Sequence, residues 1–62
     1  MGDWYAVLRE QDDHDWGTGS EFYGEAVAMV KKLHQDGYQD AYIAVIEDGP
    51  DPICINEIRD ID

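Results

Sequence analysis

The spacing of hydrophobic positions changes period along the chain. Residues Trp4-Tyr5-Ala6-Val7-Leu8 are aromatic and branched, which predicts a strand running to about Glu10. Trp4, Ala6 and Leu8 fall on one face of it and Tyr5 and Val7 on the other, so neither face is plainly the wet one. An acidic loop follows, and the stretch from Trp16 to Phe22 reads as a twisted or bulged returning strand despite Gly17 and Gly19. In the alternative, Gly17-Thr18-Gly19 is loop and Ser20 caps a helix, with Glu21 in its first turn. From about Tyr23 the period becomes helical: Tyr23, Ala26, Val27, Val30, Leu33 and His34 form an apolar stripe, with Met29 at its flank. Gly37 is the natural stop, and Lys31, Lys32 and His34 suit the last turns. The run Ala41-Tyr42-Ile43-Ala44-Val45-Ile46 predicts a central strand covered on both faces. Asp48-Gly49-Pro50-Asp51 turns the chain, and Pro52 to Ile58 alternates as the last strand, with a tail from Arg59 expected to fray.

These elements define a single small α+β domain over residues 1–62, in the order β-β-α-β-β: a four-stranded antiparallel sheet with one helix on one face. One helix covers one face. The other, assigned to Tyr5, Val7, Ile43 and Val45, needs cover from elsewhere, and a second copy of the chain supplies it in the simplest scheme. Chain length sharpens that expectation, because domains this small leave roughly 40 per cent of their unfolded surface exposed and usually add a disulfide, a metal or a partner. Cys54 is the only cysteine, so an internal disulfide is excluded. Flanked by Ile53 and Ile55, it reads as an inert buried thiol in a reducing compartment. No apolar run spans a bilayer and the first residues lack signal-peptide character, which places the expected location in the cytoplasm.

Charge alters the functional picture more than it alters the fold. Fifteen acidic residues stand against Arg9, Lys31, Lys32 and Arg59, a formal net charge of -11. That field repels nucleic acid and disfavours direct DNA contact, while it attracts basic surfaces such as the channels of nucleic-acid-handling proteins. It also keeps a small protein soluble, which needs no partner. Glu10, Asp12, Asp13 and Asp15 are the densest local group and the candidate partner-binding residues.

The same loop is the only candidate for chemistry. Asp12, Asp13 and Asp15 offer hard oxygen ligands suited to Mg²⁺ or Mn²⁺, and His14 adds a nitrogen. In an extended segment Asp13 and Asp15 point to the same side. The calcium-loop pattern is not completed, because Gly17 and Gly19 stand where oxygen ligands are needed, and the loop reads equally as a solvated turn. Ser20, Thr18, Cys54, His14 and His34 have no spacing diagnostic of a nucleophile and its base, and Gly17-Thr18-Gly19 lacks the glycines and lysine of a phosphate loop.

Taken together, Trp4-Tyr5-Ala6-Val7, Asp15-Trp16-Gly17-Thr18-Gly19-Ser20, Ala41 to Ile46 and Asp51-Pro52-Ile53-Cys54-Ile55 resemble the short acidic proteins carried by prophages and mobile elements of gut Gram-positive bacteria. Some small proteins of that setting are anti-CRISPR proteins, and one group of them has a PC4-like single-stranded-DNA-binding fold, assembles as an oligomer and nicks supercoiled DNA. The resemblance implies an aspartate in the first hairpin turn as the catalytic group, matched here by Asp13 and Asp15. Three classes of function follow. The first is an acidic, homo-oligomeric antagonist that binds a basic nucleic-acid-handling protein, such as a CRISPR nuclease. The others are a metal-dependent nickase centred on Asp13 and Asp15, and a regulatory or structural module without catalysis.

Overall fold

The computed structural model describes residues 2–61. Five elements follow one another: β1 (Asp3–Leu8), β2 (Gly19–Ser20), α1 (Tyr23–Gln35), β3 (Tyr42–Glu47) and β4 (Ile53–Ile58). They form one antiparallel sheet in the order β2-β1-β3-β4, crossed by one helix. The expected α+β arrangement is therefore the observed one.

The first hairpin differs from expectation in how little of it is strand. Residues 16–18 stay in the connection. Pairing begins where Thr18 O accepts the Val7 N–H at 2.8 Å, and only Gly19 and Ser20 enter the ladder, opposite Ala6 and Tyr5. Gly19 has φ +146°, and a Cβ there would lie 2.1 Å from Tyr5 O, so the close approach of β2 to β1 needs glycine. Ser20 does not cap the helix. Its Oγ accepts the Phe22 N–H at 3.1 Å, and Phe22 itself stands at the N-cap position with extended backbone and no side-chain bond to the first turn. The helix ends as its glycine implies: Gly37 takes φ +100°, its N–H donates to His34 O, and the Tyr38 N–H donates to Leu33 O, which satisfies carbonyls the last turn leaves open.

The helix side of the sheet is packed by Val7, Ala26, Val30, Ala41, Ile43 and Ile61, with Tyr5, Val27, Met29, Leu33 and Ile58 around them. Tyr23 closes the near end, its ring edge-on to Tyr5 at 5.4 Å. Two expectations are corrected here. Tyr5, Val7 and Ile43, assigned to the uncovered face and a partner, lie under the helix, and Val45 shares their side of the sheet by alternation. Periodicity showed two apolar faces on β1 and could not say which of them α1 would take. The tail does not fray as far as Ile61, which is buried in this core.

The opposite side holds a second cluster, Ala6, Leu8, Tyr42, Ala44 and Ile46, each no more than 3 % exposed within the single chain. Its cover is the connection between β1 and β2. Trp16 folds back from that loop beside Trp4, whose Nε1–H donates to Trp16 O at 2.7 Å, and the Arg59 guanidinium lies 4.0 Å from the centre of the Tyr42 ring. An uncovered face was the reason to expect a second copy, and that reason falls away. Cys54, expected to be buried, is exposed: it sits on the edge strand β4, and its Sγ lies 3.3 Å from Asn56 O. No described helix is long and apolar enough to cross a membrane.

Candidate functional site

Most of the candidate residues lie on the β1–β2 connection, and the structure divides them. The chain leaves β1 through a tight turn in which the Asp12 N–H donates to Arg9 O at 2.9 Å. Both ends of this turn are tied to distant segments. Asp40 accepts from Arg9 Nε at 3.3 Å and from the Glu10 N–H at 3.2 Å, while the Arg9 guanidinium lies 4.2 Å from the centre of the Tyr38 ring. Partial desolvation pulls the Asp40 carboxyl upward. Backbone hydrogen bonds and the Arg9 guanidinium outweigh it, so its pKa lies below the ordinary carboxylate value.

Glu10 is not a free carboxylate. It pairs with Arg59, which also reaches Glu57 at 3.0 Å. Those two hydrogen-bonded carboxylates hold the guanidinium even more firmly protonated than usual. Tyr42 beneath it has its phenol pKa raised, first by burial and then by the charge of Glu57, with the Arg59 charge opposing. The ion pair thus has a packing role: it keeps a flat cation against the buried Tyr42 ring.

Asp12, Asp13 and Asp15 are exposed and do not act as a set. His14 stands between the first two, its Nε2 3.7 Å from Asp12 Oδ1 and its Nδ1 3.8 Å from Asp13 Oδ1. Asp15 turns to its own backbone, where Oδ1 accepts the Gly17 N–H at 3.2 Å. Residues 13 and 14 lie in a turn and not in an extended segment, so the same-side argument for Asp13 and Asp15 does not apply. Among the described residues no three or more His, Cys, Asp or Glu side chains converge in a way that could hold a metal ion. The Mg²⁺ or Mn²⁺ site and the catalytic pair of Asp13 and Asp15 therefore lack a common focus.

A second acidic region lies at the other end of the sheet. There Asp3, at the start of β1, pairs with Glu47, at the end of β3, and the turn that follows carries Asp48 and Asp51. A groove of about 600 Å³ opens beside it, lined by Gly2, Asp3, Trp4, Tyr5, Glu21, Phe22 and Asp48. Sequence reading passed over this region because its carboxylates come from three separate segments. Asp40 and Arg59 were missed for the same reason: each matters through a residue about thirty to fifty positions away. The positive charge lies elsewhere, since Lys31 and Lys32 sit exposed on α1 and make no ion pair among the described residues.

Comparison with known proteins adds no relative: no family model matches the chain, and neither a curated protein nor a solved structure is similar to it at a significant level.

Proposed function

We propose that the protein is a binding protein whose acidic surface occupies a basic surface of a nucleic-acid-handling protein, standing in for phosphates. The observation that carries this reading is the disposition of charge. Fifteen acidic side chains face four basic ones. Both arginines are engaged by carboxylates of the same chain, Arg9 by Asp40 and Arg59 by Glu10 and Glu57. Asp12, Asp13 and Asp15 at one end of the sheet, and Glu47, Asp48 and Asp51 at the other, face solvent. A field of one sign speeds encounter with the opposite sign, whereas a single exposed pair is worth only about 0–1 kcal/mol. The resemblance to small mobile-element proteins directs the choice of partner to a bacterial defence nuclease in the cytoplasm, a CRISPR nuclease among them, which makes the protein anti-CRISPR-like. The nicking reading has less support, because Asp13 and Asp15 turn to different partners and the net charge opposes a DNA substrate.

The test is the rate of association with a purified CRISPR nuclease as salt is raised. Association is fast at low salt and slows steeply as the Debye length falls from about 10 Å toward 3 Å. Changing Asp12, Asp13 and Asp15 together to Asn slows it far more than any one change. Supercoiled plasmid incubated with the protein and Mg²⁺ stays supercoiled. Binding that survives high salt and the triple change, or nicking that is lost with Asp13→Ala alone, would show that one discrete aspartate is at work and the field is not.

A further inference from the structure

The two edges of the sheet are unequal. On one side β2 offers two residues, and the connection before it folds back over the molecule. On the other, β4 runs six residues, Ile53–Ile58, and among the described residues no strand lies beyond it. An edge strand presents alternate N–H and C=O groups outward, ready to pair with another extended segment. Its side chains are as open as its backbone. Ile53 is 52 % exposed and Ile55 49 %, and Cys54, Asn56 and Glu57 are exposed as well. Large branched apolar groups on an open edge are what soluble proteins usually avoid.

Charge decides what can pair there. A second copy brings another net charge of -11 to the same edge, where Glu47 stands opposite Ile53 and Asp48 and Asp51 occupy the adjoining turn. A strand carrying lysines or arginines meets the opposite sign about the start of β4, where Glu47, Asp48 and Asp51 are exposed; Glu57, further along, is already held by Arg59. Pro52 precedes the strand and so removes no donor from within it. The bulge opposite Val45 and Ile46 twists the edge and divides it, which limits continuous pairing to a few residues and makes the affinity modest. We infer that β4 is a docking edge for an extended segment of a partner protein in which basic and apolar residues alternate, adding a fifth strand to the sheet. The inference rests on the reading of the protein as a ligand for basic surfaces, and names the place and the form of the contact.

The test uses the whole protein and three synthetic peptides: one alternating Lys and Val, its Glu–Val counterpart, and the Lys–Val peptide N-methylated at every residue, which keeps the charge and removes the backbone donors of both its edges. Amide exchange followed by NMR reports on β4. The Lys–Val peptide is expected to protect amides of residues 53–58, the methylated form to bind about tenfold more weakly or worse, and the Glu–Val form not to bind. Ile53→Lys, at an exposed position, abolishes the protection with the rest of the spectrum unchanged. If both basic peptides bind equally and leave β4 exchange unaltered, the edge is not the site, although the acidic-surface reading stands. If neither binds at low salt, both fail. Protection of β4 in the protein alone, growing with its concentration, would assign the edge to a second copy and overturn the inference.

Discussion

On one side of the sheet, Val7, Ala41 and Ile43 meet a helix whose apolar stripe runs through Ala26 and Val30; on the other, Ala6, Leu8, Tyr42, Ala44 and Ile46 meet a tryptophan from a loop and a guanidinium from the tail. Both sides are buried to a similar degree, by unlike means. The helix side is held by a regular element that satisfies its own backbone, so its cover is continuous. The loop side depends on a few point attachments: Trp4 Nε1–H to Trp16 O, the Val7 N–H to Thr18 O, the Glu10 N–H to Asp40, and Arg59 between Glu10 and Glu57. A small chain can therefore cover a second face without a second copy, provided that one long connection carries a large aromatic and is pinned at several places. That connection is at once a lid inward, through Trp16, and an acidic surface outward, through Asp12, Asp13 and Asp15.

The largest loss of stability is expected from the helix side. Ile43 is fully buried at the centre of the sheet, and Ile43→Ala is expected to cost about 2–5 kcal/mol, comparable with all that a core of this size supplies, roughly 3–5 kcal/mol. Circular dichroism should show the variant largely unfolded; a urea midpoint close to that of the parent would mean that the stability resides elsewhere. Trp16→Ala removes the lid from the other side. Trp16 is only partly buried, so the loss is smaller than for a fully buried aromatic, about 1–3 kcal/mol. Hydrogen exchange is the sharper readout here. Amides of α1 should keep most of their protection while those of the loop around Trp16 lose theirs, and a uniform loss would erase the distinction between the two sides.

A finer test removes one attachment and keeps an aromatic ring in place. Trp4→Phe deletes the indole N–H that holds Trp16 O and is expected to cost about 0.5–1.5 kcal/mol, read as a shift in urea midpoint with unchanged slope. The smallest effect concerns Asp40, which ties the loop to the segment before β3. Its folded pKa is depressed below the ordinary value of 3.8, so the stability it contributes is present above about pH 4 and is lost as pH falls through the folded value. Acid unfolding of Asp40→Asn should accordingly show a shallower dependence on pH below about 4 than the parent. An unaltered acid limb would mean that the Arg9 and Glu10 contacts persist little in solution.

The elements and their order follow from local pattern along the chain. The helical stripe from Tyr23, the glycine stop at 37, the apolar run of β3 and the turn at residues 48–51 are local patterns, and local backbone preference together with the side-chain period is enough to place them. Local pattern also determined that two apolar faces exist. Which face the helix takes is set by packing across the sheet, because Tyr5 and Val7 on one side and Trp4, Ala6 and Leu8 on the other are equally good partners by periodicity. The pairings of Arg9 with Asp40 and of Arg59 with Glu10, and the burial of Ile61, join residues far apart in the chain, and no spacing rule connects them. The acidic loop shows the division most clearly. Its carboxylates were legible as charge, but their separation into one pair around His14 and one aspartate turned to Gly17 depends on a turn whose shape is set by contacts outside it.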